Sequence, residues 1–237
     1  MSINFAFLVL EEHPYGREML RILLENGFFP SLIVQEVSRV GDEEREKFLD
    51  RIAGQPVPPR LNELVVGMKI PVHCVSNHND SICQDLLEKF KPDLLVLGGT
   101  RIIKPSLLGI PKQGTVNSHP GLLPRLRGSA SVGWALYKDL PQGATVHFVD
   151  PEIDTGDIIV SQQLPVFRED SYESLNYRIA ILAGELMADS LKAIASGKVP
   201  RTPQDPDAGE TLRVIPEDLL DAGRKRLAEG RYSHYAD

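Results

Sequence analysis

Apolar residues run almost unbroken through positions 3–10, then recur as Met19, Leu20, Ile22, Leu23 and Leu24 over 16–25, with Asn26-Gly27 as a stop. The first run predicts a strand buried on both faces, and the second, at helical spacing, an amphipathic helix. A further apolar run at 28–34 predicts a second strand. The alternation continues with a helix at 81–90, strands at 93–97 and 113–118, and a helix at 129–138. Strands alternating with helices predict an α/β fold: a Rossmann-like, mostly parallel twisted sheet with helices on both faces. Segments 145–149 and 158–164 then read as a hairpin pair, and 172–196 as a long amphipathic helix that closes the unit. The main domain is therefore placed at 1–197. A carboxy-terminal extension at 198–237 carries Pro200, Pro203 and Pro206 and a helix at 217–229.

Residues 36–68 break the pattern. They hold the charged run Asp42-Glu43-Glu44-Arg45-Glu46-Lys47 and then Pro56, Pro58 and Pro59, which predicts a solvated helical insertion. The functional alternative is a lid or an element that recognises a substrate, since insertions at strand ends often carry specificity.

Composition narrows the classes. Hydrophobic residues at 42% and charged residues at 25% fit an ordinary globular domain. A net charge of −7 argues against general nucleic-acid binding, which usually needs a basic stripe. No apolar run reaches membrane-spanning length and the first residues lack a signal-peptide layout, so the expected location is cytoplasmic, with no membrane partner. Cys74 and Cys83 give no disulfide framework. With His73 and His78 they do not follow a zinc spacing, so no metal is expected, and Cys74 reads as a core residue of a short strand.

The chemistry is concentrated in Asn117-Ser118-His119-Pro120-Gly121-Leu122-Leu123-Pro124 and in Asp154-Thr155-Gly156. Strand alternation puts Asn117 and His119 on one face, and Pro120 ends the strand, leaving both at the carboxyl edge where open α/β sheets bind ligands. An acyl-transfer centre needs an oxyanion donor, a proton acceptor and a group that orients the acceptor. Asn117, His119 and Asp154 can supply these in turn. Asp154 could equally be only a turn former. His147 reads as packing, and Trp134 and Tyr137 as core. There is no phosphate-binding glycine pattern after the first strand.

Residues 114–156 resemble the catalytic core of the formyltransferases that use 10-formyltetrahydrofolate, a family that includes methionyl-tRNA, glycinamide ribonucleotide and sugar-nucleotide N-formyltransferases. The family's catalytic Asn-x-His-Pro is similar to Asn117, His119 and Pro120, its Asp-x-Gly loop to Asp154, and its Leu-Leu-Pro-Arg-x-Arg-Gly segment to Leu122 through Gly128. The resemblance implies catalytic roles for Asn117, His119 and Asp154, with Asn117 and a protonated His119 stabilising the oxyanion. It implies 10-formyltetrahydrofolate as co-substrate, its pterin held by the loop with Arg101, Ile102 and Ile103, mostly through main-chain groups, and walled on the other side by Glu152 and Ile153. The implied partner is a small-molecule amine acceptor. The extension at 198–237 is short for the extra barrel of the tRNA enzymes, which favours a sugar nucleotide or other small amine, although tRNA stays open. Glu11 and Glu12 stand where the purine-pathway enzymes hold a phosphate; they would repel one, attract a cationic amine, or cap the first helix. Arg125 and Arg127 are candidates for contacting a phosphate or the folate tail. A formyltetrahydrofolate hydrolase and a non-catalytic folate- or partner-binding module are the alternatives, and a homodimer is an open expectation.

Overall fold

The computed structural model describes residues 3–205 and 207–236. In chain order the elements are β1 (Phe5–Leu10), α1 (Pro14–Glu25), β2 (Leu32–Glu36), α2 (Arg39–Arg51), α3 (Leu61–Leu64), β3 (Val72–Val75), α4 (Ser81–Phe90), β4 (Leu94–Leu97) and α5 (Pro105–Leu108). There follow β5 (Thr115–His119), β6 (Leu126–Gly128), α6 (Ser131–Lys138), β7 (Gly143–Phe148), β8 (Ile158–Gln163), α7 (Tyr172–Ala195), β9 (Glu210–Leu212) and α8 (Glu217–Ala228).

Seven strands form one sheet in the order β3-β2-β1-β4-β5-β7-β8. Pairing is parallel from β3 to β5, then antiparallel at β5–β7 and β7–β8. The continuous apolar run of β1 is explained by its central place. Phe5, Phe7 and Val9 enter the core shared with α1 and α7, whereas Ala6 and Leu8 enter the opposite core with Leu87 of α4 and Leu107 of α5. Fully burying each such Phe or Leu contributes about 1.5–3 kcal/mol, which is why both faces of these strands are apolar. Among the described residues no helix is long and apolar enough to cross a membrane.

Three expectations need correction. Segment 36–68 is not merely a solvated insertion: α2 is exposed along most of its length, but Phe48, Ile52 and Leu61 join the core that holds Phe5 and Met19. Cys74 is exposed, because β3 is the sheet's edge strand and only Val75 among its residues is buried. Trp134 and Tyr137 are half-buried rather than core; the Trp134 indole donates to the Arg213 carbonyl at 2.8 Å and so fastens the later chain to α6.

The segment after α7 folds back on the main unit. Its strand β9 pairs in parallel with β6, and α8 packs on α6 with Leu227 in a core formed by Val132, Leu136 and Leu175. This second, two-stranded sheet brings residues 211–214 beside the carboxyl ends of the main strands.

Candidate active site

Antiparallel pairing of β5 with β7 builds the site. Val116 and Ser118 of β5 face α7, where the Ser118 hydroxyl donates to the Ala183 carbonyl at 3.2 Å. Alternation therefore turns Asn117 and His119 to the other face. On β7, Val146 and Phe148 belong to the α7 side, so Thr145 and His147 share the face of Asn117 and His119. The register sets Asn117 opposite His147 and His119 opposite Thr145. Thr145 pins the turn after β5, its hydroxyl donating to the Gly121 carbonyl (2.8 Å) and accepting from the Leu123 N–H (3.1 Å).

Asp154 reaches this face from the β7–β8 loop. It adopts φ 55°, a left-handed conformation that Asp tolerates better than most residues. One carboxylate oxygen, Oδ2, accepts from the Gly128 N–H at 2.8 Å and lies 3.3 Å from His119 Nδ1. The other, Oδ1, lies 3.4 Å from His147 Nε2. Gly128 has φ 90°, and a Cβ there would stand 2.1 Å from the Leu212 carbonyl oxygen, so only glycine fits between β9 and the carboxylate. Burial pushes the Asp154 carboxyl upward, but the two histidines and the Gly128 N–H outweigh it and hold it at about 2.

His119 is 2% exposed and does not line the cavity. Its Nε2 lies 2.8 Å from the Leu126 carbonyl oxygen, which can only accept, so Nε2 carries a proton there. The Ser131 hydroxyl is 3.1 Å from the same nitrogen. A Cβ at position 121 would come within 2.8 Å of Nε2, so Gly121 leaves the ring its space. Burial is the largest influence on this imidazole and drives its pKa below the ordinary histidine value, although Asp154 pulls the other way. The ring is set behind Asp154, its two nitrogens facing the Leu126 carbonyl and the Asp154 carboxylate.

The cavity, about 830 Å3, is lined by Asn117, His147 and Asp154 together with all five residues expected at a cofactor site: Arg101, Ile102, Ile103, Glu152 and Ile153. Ile102 is 72% exposed and Ile153 43% exposed, two large apolar side chains left open at one mouth. The Arg101 guanidinium is committed elsewhere: it bonds Glu36, with Nε at 3.0 and 2.9 Å from the two carboxylate oxygens. Leu212 and Val214 of the carboxy-terminal segment supply a further wall, a placement that no local pattern predicts.

His147 is the residue the sequence reading missed. The sequence predicts packing for it, yet this ring, 1% exposed, lines the cavity and touches both Asn117 and Asp154. The available signal was its even offset from Thr145 in a strand whose other face is apolar. Gln204 was missed as well. Its side-chain amide donates to the carbonyls of Asp154 (2.9 Å) and Gly156 (2.8 Å), while its Oε1 accepts from Arg127 at 3.3 Å. Arg127 is thereby buried inside the protein rather than offered to a ligand.

Other candidates resolve differently. Glu12 pairs with Arg17 at 3.1 Å and Glu11 lies 3.9 Å from Arg45, so neither carboxylate is left to meet a substrate unopposed. His78 is fully buried, with Nε2 3.2 Å from the Val34 carbonyl and Nδ1 3.2 Å from Glu36, and among the described residues no group of three His, Cys, Asp or Glu could hold a metal ion.

Known proteins resemble this chain in both sequence and fold. The family model described as formyl transferase matches residues 60–191. A methionyl-tRNA formyltransferase of Syntrophus aciditrophicus is 30% identical over 206 residues, 86% of this chain and 62% of that protein. The chain spans 62%, 57% and 46% of the length of three such curated relatives. Among solved structures, a phosphoribosylglycinamide formyltransferase from Anaplasma phagocytophilum matches with TM-score 0.66 and 22% identity, over 91% of this chain and 100% of that one. An N-formyltransferase from Helicobacter canadensis, solved with folinic acid and dTDP-3-aminofucose, matches with TM-score 0.66 and 15% identity, over 95% of this chain and 80% of that one. The fold and the face shared by Asn117, His119 and Asp154 agree with the sequence match: the chain belongs to the formyl transferase family.

Proposed function

We propose that this protein is an N-formyltransferase that moves the formyl group of 10-formyltetrahydrofolate to a small amine, with a sugar nucleotide as the favoured acceptor class. The observation that carries the reading is the placement of Asn117, His147 and Asp154 in the lining of a cavity that residues 101–103 and the loop at 150–153 also line. Two structural relatives, solved in complex with folinic acid and with tetrahydrofolate, support a folate co-substrate. The exposed Ile102 and Ile153 supply apolar surface of the kind a flat ring system covers.

In this mechanism the amine nitrogen attacks the formyl carbon and the carbonyl oxygen becomes an oxyanion. Asn117 donates an amide N–H to that oxygen. The C–N10 bond then breaks, N10 takes a proton, and the amine loses one. Asp154, ionised and flanked by His119, organises the proton transfer, and His119 acts through Asp154 as a positioning residue. Holding amine and formyl carbon together supplies much of the acceleration. A charged tRNA is the second reading, favoured by the names of the curated relatives.

The test is incubation with 10-formyltetrahydrofolate and a panel of amines: aminodeoxysugar nucleotides, glycinamide ribonucleotide and charged initiator tRNA. Formylation of an aminosugar nucleotide, slowed about 100-fold or more in Asp154→Asn, is the expected result. Formylated tRNA instead would move the acceptor to the second reading. Release of formate with no amine formylated would make the protein a hydrolase, and failure to bind tetrahydrofolate at all would end the folate reading.

A further inference from the structure

We propose that His147 is a catalytic base of the transfer and that its protonation hands the Asn117 amide to the developing oxyanion. The inference deepens the function proposed above and rests on it. His147 Nδ1 lies 2.8 Å from the Phe148 carbonyl oxygen. A carbonyl oxygen has no proton to give, so in the neutral ring the hydrogen sits on Nδ1 and Nε2 carries a lone pair. That lone pair faces two groups of opposite character. The Asn117 Nδ2 is 3.3 Å away and donates to it, whereas the Asp154 Oδ1 at 3.4 Å can only repel it. Both separations are long for hydrogen bonds, as expected of a nitrogen shared between competing neighbours.

Adding one proton to Nε2 reverses both interactions. The new N–H has Asp154 Oδ1 as its acceptor, an ionised carboxylate that the Gly128 N–H already steadies from the other side. The Asn117 N–H then loses its acceptor and becomes free to donate elsewhere. The nearest developing acceptor would be the formyl oxygen, since Asn117 and His147 border the same cavity. Proton uptake and oxyanion stabilisation are thus coupled through one nitrogen.

The step balances. The amine lone pair forms the N–C bond, the carbonyl electron pair moves to oxygen, and the amine proton passes to His147 Nε2. When the C–N10 bond breaks, its electrons go to N10, which takes the proton back from the imidazolium, and the oxyanion re-forms the carbonyl of the amide product. His147 ends neutral. His119 cannot replace it in this role, because it lies behind Asp154 with its own Nε2 bonded to Leu126.

The experiment compares wild type, His147→Gln, Asn117→Ala and the double variant, with kcat and both KM values measured, beside 15N spectra of the ligand-free histidines at pH 8. Glutamine can accept the Asn117 N–H but cannot carry the proton. His147→Gln should lower kcat about 100-fold with KM values within threefold. The double variant should be no more than about threefold worse than Asn117→Ala, because the two groups act as a unit. The spectra should show the His147 proton on Nδ1. A His147→Gln rate within threefold of wild type, losses that multiply in the double variant, or a proton on Nε2 would each overturn the proposal. A wild type that formylates no amine would instead bring down the function proposed above, while the spectra still report on the ring.

Discussion

The protein buries two carboxylates beside histidines, and they differ in one partner. Glu36, at the end of β2, is fully buried; Arg101 bonds both of its oxygens, Ser38 donates at 2.6 Å and the His78 N–H at 2.8 Å. Burial alone would raise its pKa, yet the Arg101 bond, with those of Ser38 and His78, holds it below the ordinary value. Asp154 has no guanidinium. Its chargeable neighbours are His119 and His147, and an imidazole, unlike a guanidinium, exists in both charged and neutral forms. A permanent cation fixes the charge of its partner and makes a structural clasp. Titratable partners leave the charge free to move, which is the requirement for chemistry.

The largest effect expected to sharpen this contrast is on stability. Glu36→Gln leaves Arg101 half-sheltered without its anion and should cost about 3–5 kcal/mol in urea unfolding, as removal of one partner from a buried pair does. With folate saturating, kcat per folded molecule should stay near wild type, any loosening of the 101–103 loop showing in the folate KM; a tenfold fall in kcat would erase the distinction. Asp154→Asn should do the reverse. It keeps an oxygen for the Gly128 N–H, so melting should change little, while the transfer rate should fall about 100-fold to 1,000-fold.

Acid should act on both sites. Folding lowers the pKa of His78 and of His119, and burial takes His13 to about 3. The unfolded chain therefore binds more protons than the folded one below pH 6.5, so stability is full above that value and falls as the pH drops. Each such histidine adds a slope of up to about 1.4 kcal/mol per pH unit. The lowered carboxylates contribute later: Asp154 supports folding above its unfolded value of 3.8 and loses that support as the pH falls through about 2. Urea midpoints at pH 7, 6 and 5 should therefore decline, and His13→Phe should make the decline shallower. A flat profile would show that these rings take up protons freely in the folded state.

The smallest effect concerns the bracket around Asp154. Gln204→Ala removes two donors from the loop and should cost about 1 kcal/mol, roughly a fivefold loss of rate with unchanged folate affinity. A melting shift with no loss of rate would make Gln204 a clasp of the Glu36 kind.

How much of this could be read from the sequence followed the range of the interactions. The central strands were legible because a strand buried on both faces writes a continuous apolar run, as in 3–10. Asn117 and His119 were legible because alternation within one strand decides that they share a face. His147 was not, since its place opposite Asn117 depends on the register between two strands 30 residues apart, which neither strand encodes alone. Strands β6 and β9 have three residues each and no pattern of their own; they exist because residues 126–128 and 210–212 meet. The insertion looked solvated because its charges outnumber Phe48 and Ile52, although those two residues decide where α2 docks.

The Gln204 bracket also has a consequence in time. The loop that carries Asp154 is tied down by a side chain 50 residues further along. On a ribosome adding roughly 5–20 residues per second, the loop is made about 2.5–10 seconds before the amide that holds it. During that interval the strands of the seven-stranded sheet can pair and the two cores on its faces can close, but the carboxylate is not yet fastened. The nascent chain acquires the shape of its main sheet before it fastens its chemistry.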